Sequence, residues 1–244
     1  MVNCQGVWKQ FRWYDRGESL KANFARLLRK PGERYEWFAL SDVNFNVRRG
    51  ERVGLIGRNG SGKTTLLRLI SGIYAPTRGS IARGEGKALA LLELGAGFYN
   101  NLSARENIRL NWAFNGLPLS ELTRKFDDIV AFAGFEQFLD TPLKYYSSGM
   151  RARLGFAIAA HAEPDLLIVD EVLTVGDEEF QEMCHDRIEA LCARGTTLIL
   201  VSHNLDEVVR MCDRTIWLEK GRVQFDGPSG EARDLYRRSV GSHQ

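Results

Sequence analysis

Gly57-Arg58-Asn59-Gly60-Ser61-Gly62-Lys63-Thr64, with Thr65 directly behind it, decides how this chain is read. Glu51 to Ile56 precedes it with strand character, and Thr65-Leu66-Leu67-Arg68-Leu69-Ile70 follows with apolar positions suited to a helix buried on one side. Strand, glycine-rich turn and helix in this order are the setting of a phosphate-binding P-loop. Glycines let the backbone turn its N–H groups inward around an anion. The helix N-terminus adds about half a positive charge. Lys63 is placed to reach the β- and γ-phosphates of a nucleotide, and Thr64 to offer a hydroxyl to Mg²⁺.

The rest of the chain limits what that nucleotide site serves. With 244 residues, 44% hydrophobic and 26% charged, it can bury one large core. A net charge of +2 makes no whole-chain case for nucleic acid. Cys4, Cys184, Cys192 and Cys212 show neither C-x-x-C nor zinc spacing, and they read as buried thiols in a reducing compartment. No run approaches the ~20 apolar residues that cross a bilayer, and the N-terminus has no signal-peptide core. Work at a membrane therefore requires a span from another subunit.

Residues 3–14 read as an aromatic-rich strand. From Glu18 to Lys30, Leu20, Phe24, Leu27 and Leu28 fall on one face of a helix whose other face is basic. Residues 1–34 hold eight Lys/Arg against three acids, a local +5 that suits either a solvated or a headgroup-facing surface. Two strands over 38–56 lead into the P-loop, and short strands follow at 80–83 and 87–92. Helix is expected over 102–130 with a break at Gly116-Leu117-Pro118, then over 131–139, and again from Arg151 to Ala162. Leu166 to Asp170 and Thr196 to Val201 are continuous apolar runs, as in strands covered on both faces. Helices at 180–194 and 205–212, a hairpin turned by Glu219-Lys220-Gly221 and a basic helix over 230–240 complete the chain. Alternating strands and helices around a P-loop give an α/β core. Residues 99–162 form a helical lobe inserted between 1–98 and 163–244.

Two further stretches carry chemistry. Leu166-Leu167-Ile168-Val169 delivers Asp170 to the strand edge where ligands bind in open α/β sheets. There its carboxylate can hold Mg²⁺ opposite Thr64, and Glu171 can accept a proton from attacking water. Tyr146-Ser147-Ser148-Gly149-Met150 places small hydroxyls and a glycine where helix N–H groups are free to bind an anion.

The P-loop at 57–64, the serine-rich stretch at 146–150, the acidic strand end at 166–171 and Val201-Ser202-His203 occur in this order. In that order and over essentially the whole chain, they resemble an ATP-binding cassette nucleotide-binding domain. Leu91 to Phe98, Tyr146-Ser147-Ser148-Gly149-Met150 and Val175-Gly176-Asp177 resemble its polysaccharide-exporter branch, which energises export of O-antigen, capsule or teichoic-acid chains. The resemblance implies a P-loop NTPase with a RecA-like core, an N-terminal antiparallel β region and the helical lobe. It implies ATP and Mg²⁺, a head-to-tail dimer with a second copy, a transmembrane permease and a lipid-linked polysaccharide substrate at the cytoplasmic face of the membrane. Ser147, Ser148 and Gly149 would meet the γ-phosphate held by Lys63 of the other copy. Glu171 would be the catalytic base, His203 would bind the γ-phosphate, and Asp177 would sit in the loop crossing the dimer interface. Phe11 would stack on adenine, with Trp13 and Tyr14 as alternatives.

Two departures from the pattern stand out. No Gln occurs between Gln10 and Gln137 to play the usual Mg²⁺-sensing part, and Glu93 is nearest in register, with Tyr99 and Asn100 as alternatives. Some members of the branch add a C-terminal β-sandwich that binds the glycan end. The 244 residues stop before one, either because the protein lacks it or because the chain is cut short. Competing expectations keep the cassette with another lipid or small-molecule cargo, or make it a soluble ATPase without transport. A GTPase is disfavoured because no Asn-Lys-x-Asp is present.

Overall fold

The computed structural model describes residues 1–14, 34–91, 97–170 and 177–241. Strand β1 (Val2–Tyr14) pairs antiparallel with β2 (Arg34–Val47), from Val2 opposite Val47 to Tyr14 opposite Arg34. β3 (Arg52–Ile56) then runs into the P-loop and α1 (Lys63–Ile70). The chain returns through β4 (Arg78–Arg83) to the free side of β1, making a three-stranded sheet in the order β2-β1-β4. After β5 (Ala88–Leu91) come three helices, α2 (Ala104–Phe114), α3 (Leu119–Ala133) and α4 (Ser148–His161). β6 (Leu166–Asp170), α5 (Glu178–Ala193), β7 (Thr197–Val201), α6 (Leu205–Met211), β8 (Arg214–Glu219), β9 (Arg222–Pro228) and α7 (Ser229–Gly241) follow.

The second sheet has the order β5-β6-β7-β3-β8-β9, parallel from β5 to β8 and closed by the β8–β9 hairpin. Its continuous apolar runs resolve into two faces. Leu166 and Ile168 of β6, Ile199 and Val201 of β7, and Val53 and Leu55 of β3 pack with α1 and the antiparallel sheet. Leu167, Val169, Leu198 and Leu200 pack instead with α4 and α5. Both sides being buried, neither face tolerates polar residues, and the alternation disappears from the sequence. Where α6 crosses β3, the approach excludes any side chain: a Cβ on Gly54 would lie 2.4 Å from Val208 Cγ1.

The inserted helices are capped and pinned locally. Ser103 and Glu106 form a reciprocal capping box at the start of α2. Fully buried Asn107 accepts from the Tyr99 N–H at 2.7 Å and donates to the carbonyls of Tyr99, Leu102 and Ser103. Trp112 donates to Pro118 O at 3.0 Å, which fixes the expected break at 116–118. The expected restart at 131–139 is not what forms. α3 runs on to Ala133 because Ile129, Val130 and Ala133 continue its buried face. Gly134 then ends it at φ 73°, and only a 3₁₀ turn over Glu136–Phe138 follows. Lys125 fastens the helices to the core by reaching Glu121 and Glu163, each at 3.1 Å, and the carbonyl of His161 at 2.9 Å. The basic helix expected over 18–30 lies outside the described residues.

Candidate nucleotide-binding site

Register brings the phosphate-facing segments to one edge of the parallel sheet. Leu55 of β3 pairs with Val201 of β7, and Val201 pairs with Asp170 of β6. The P-loop, Ser202-His203 and Asp170 therefore leave the sheet at the same height, at its carboxyl edge. β7 separates β3 from β6, which places Asp170 roughly 10 Å from the P-loop strand, two strand spacings away.

The P-loop is held by close backbone approach. A Cβ on Gly57 would stand 2.1 Å from Leu218 O, and one on Gly62 2.6 Å from Ala39 O. Gly62 also takes φ 105°, a value that L side chains avoid. The Gly221 N–H donates to Ser61 O at 2.9 Å, and the Ser41 N–H to Gly221 O at 2.8 Å, so the β8–β9 turn clamps the loop against β2. Lys63 is buried at the start of α1, and its ammonium donates to Gly57 O at 2.7 Å and Arg58 O at 3.3 Å. Ser61 Oγ is buried without a hydrogen-bond partner. Such an orphan costs about 1–3 kcal/mol, which a ligand oxygen arriving in the loop would recover.

A cavity of about 600 Å³ opens over the loop. Asn59 to Thr65 form its phosphate-sized end, while Phe11, Trp37 and Phe38 form an aromatic end, with Lys220 and Gly221 between. Phe11 stacks on its cross-strand partner Trp37 with ring centroids 5.3 Å apart. Trp37 is 53% exposed, an unusual state for a large aromatic that is not covered by a ligand or partner. Phe11 thus lines the cavity over the P-loop. Tyr14 lies three residues farther along β1, opposite Arg34 in the strand register. Trp37, Phe38 and Lys220 also line the cavity and were not among the residues expected there. The exposed Trp-Phe pair next to the P-loop strands was the signal available.

The remaining expected residues divide into placed and undescribed. Thr64 lines the cavity, and Asp170 ends β6; both are hard oxygen donors of the kind Mg²⁺ takes. His203 is exposed just beyond β7. Ser147 caps α4 by accepting the Met150 N–H at 3.1 Å, and Ser147 and Ser148 are exposed. None of 147–149 lines the cavity, so the chain does not bring its own serine-capped helix to its own P-loop. Asp177 caps α5 by accepting the Phe180 N–H at 3.0 Å and pairs with Arg153 of α4. The Phe180 N–H, aided by Arg153, holds the Asp177 carboxyl below its ordinary value. Glu171 and Glu93 lie outside the described residues. All four cysteines are buried, and burial pushes the thiols of Cys4 and Cys184 up to about 12, which makes them inert packing groups.

A P-loop cavity with an aromatic end, at the carboxyl edge of a parallel sheet carrying an inserted helical lobe, defines an ATP-binding cassette. The sequence profile described as "ABC transporter" matches residues 40–174. The chain is 43% identical to the O-antigen export system ATP-binding protein RfbB of Klebsiella pneumoniae, over 84% of this chain and 83% of that protein. It is 40% identical to the teichoic acids export ATP-binding protein TagH of Listeria monocytogenes, over 96% of this chain and 69% of that one. Among solved structures, the dimeric post-hydrolysis state of the cassette MJ0796 bound to ADP and Pi superposes with a TM-score of 0.74, covering 94% of this chain and 99% of that one at 23% identity. The chain belongs to the ABC transporter family, as an ATP-hydrolysing cassette.

Proposed function

We propose that this chain is the ATPase subunit of an exporter that moves a lipid-linked polysaccharide out across the cytoplasmic membrane. Its relatives are named for O-antigen and teichoic-acid export, and among the described residues no helix is long and apolar enough to cross a membrane. The proposal therefore includes a separate transmembrane subunit and a place at the cytoplasmic face. Nucleic acid has no part in it.

One observation supports the catalytic reading: Ser147 and Ser148 at the capped end of α4 are exposed and stand apart from the cavity over their own P-loop. Gly149 sharpens this, because a Cβ there would meet nothing closer than Ser147 Oγ at 3.8 Å. Among the described residues nothing requires a glycine in the first turn of α4, where glycine weakens the helix. A second copy, docked head to tail, supplies the reason. Ser147, Ser148 and Gly149 of one copy close over the γ-phosphate that Gly57 to Thr65 of the other hold.

In the closed pair, Lys63 neutralises the β- and γ-phosphates, and Phe11 and Trp37 cover the adenine. Thr64 and Asp170 would hold Mg²⁺, which supplies charge neutralisation across the phosphates. Glu171 takes the proton of the attacking water, and His203 holds the γ-phosphate in line for displacement. Asp177 stands at the interface, and Glu93, Tyr99 or Asn100 takes the place of the missing glutamine.

Glu171→Gln tests the reading. We expect it to bind ATP, to form a dimer only with ATP, and to lose turnover by roughly 10²–10⁴-fold. A strict monomer with ATP by sedimentation would count against the sandwich, and near-normal hydrolysis against the base. Loss of glycan export from cells carrying the variant, with the lipid-linked precursor accumulating inside, identifies the cargo. Normal export would remove the polysaccharide assignment.

A further inference from the structure

Ser202, buried and directly before His203, belongs to a hydrogen-bond chain that runs away from the nucleotide cavity. The Asn204 N–H donates to Ser202 Oγ at 3.0 Å, and the Ser202 hydroxyl donates to Glu207 Oε2. The other carboxylate oxygen, Glu207 Oε1, accepts from His185 Nε2 at 2.8 Å. Arg210 Nη2 donates to His185 Nδ1 at 2.7 Å. Asn204 is held in its own right, because its Oδ1 accepts from the backbone N–H groups of Asp206 and Glu207.

The polarity of this chain is fixed throughout. A guanidinium only donates, so His185 Nδ1 accepts and the ring proton stands on Nε2. A carboxylate only accepts, so Glu207 receives the imidazole proton on one oxygen and the serine hydroxyl on the other. The serine is left with a lone pair for the Asn204 N–H. Glu207 is 11% exposed, so little water is available to replace a lost partner. His203 itself is exposed, yet the residues on both sides of it are pinned.

The geometry points to Glu207 and His185 as positioning residues for His203. This rests on the reading of His203 as the γ-phosphate ligand. The backbone on each side of His203 sets where its Cβ points, and a misplacement of about 1 Å in a reacting geometry costs ~10²-fold in rate. The Arg210–His185–Glu207–Ser202 chain supplies that aim through the backbone on each side. His185 belongs to α5, the helix capped by Asp177, so the same chain ties the histidine edge of the site to that helix.

The test measures steady-state ATP hydrolysis, nucleotide affinity and melting temperature in four variants of the full chain. His185→Leu removes both ring bonds and is expected to lower kcat by at least ~10-fold while KM for ATP stays within about twofold. His185→Gln keeps one donor and one acceptor in sequence and is expected to restore most of the turnover. His203→Ala sets the floor, and adding His185→Leu to it should cost nothing more if both act through one group. Turnover in His185→Leu within about twofold of the parent, beside an inactive His203→Ala, overturns the positioning role and leaves the His203 reading standing. Equal losses in His185→Leu and His185→Gln, or a fall in affinity and melting temperature together with kcat, also overturn it. Full turnover in His203→Ala overturns the reading of His203 itself.

Discussion

Gly149→Ala separates what the single chain needs from what a partner needs. Gly149 is the second residue of α4, and among the described residues the nearest atom to an added Cβ is Ser147 Oγ at 3.8 Å, an ordinary contact. Its backbone is not among those with positive φ, so alanine adds no strain. Glycine in a helix costs roughly 0.5–1 kcal/mol relative to alanine, mostly as unfolded-chain entropy. A first-turn position recovers the lower part of that range. For a chain this size that gain, about 0.5 kcal/mol, amounts to a rise of ~1–2 °C in melting temperature. In the proposed sandwich the same methyl group meets the partner's nucleotide, where no room is left for it. Hydrolysis should then fall by about 10²-fold or more, as for a lost group that organises the transition state. The assays are thermal unfolding without nucleotide and hydrolysis at saturating ATP, with ATP-dependent dimerisation measured in the Glu171→Gln background. A protein that is destabilised as it loses activity would refute the reasoning, since the glycine would then serve its own fold. So would unchanged hydrolysis, which would put nothing against Gly149 during turnover.

Two further outcomes follow from the packing of the helical lobe. Lys125→Met keeps the buried stem but strips Glu121, Glu163 and the His161 carbonyl of their shared donor, and should cost about 1–2 kcal/mol by denaturant unfolding; an unchanged midpoint would show that the bridge is idle. Burial pushes the His161 imidazole below its ordinary 6.5, against the opposing pull of its bond to the Ala157 carbonyl. The unfolded chain therefore takes up this proton first as pH falls, so stability drops below pH 6.5 until the lowered folded value is reached. The slope from this group is at most about 1.4 kcal/mol per pH unit. His161→Leu should flatten that stretch of the stability–pH curve, and parallel curves would exclude the group.

What was legible in the sequence was what local spacing encodes. The P-loop announces itself because a glycine pattern, a lysine and a hydroxyl must be adjacent in the chain to wrap one phosphate. The strands at 166–170 and 197–201 were readable as doubly covered, since a core on each face leaves no polar alternate position. The extent of α3 was not, because the residues that carry it past Val130 face a core assembled from distant elements. Trp37 joins the cavity only through its cross-strand register with Phe11, and Lys220 only because the β8–β9 turn folds back on Ser61. The Ser202–Glu207–His185 link spans two helices and a strand end, and no pattern along the chain foretells it.

The placement of α5 joins these pieces. At its start Asp177 binds Arg153 of α4, and the Arg153 guanidinium also lies 4.7 Å from the Phe180 ring centroid, so the helix that presents Ser147 is tied to the first turn of α5. Two turns later His185 enters the chain that ends at Ser202. In a head-to-tail pair, Ser147 faces the nucleotide of the partner while His203 faces the nucleotide of its own chain. One helix then connects groups that belong to different composite sites. Exposed, salt-screened pairing at Arg153–Asp177 adds little to the stability of the fold. If the proposed pair forms and this bridge couples its two sites, Arg153→Ala should leave the melting temperature nearly unchanged while lowering the cooperativity of hydrolysis in ATP, and an unchanged Hill coefficient would exclude the coupling.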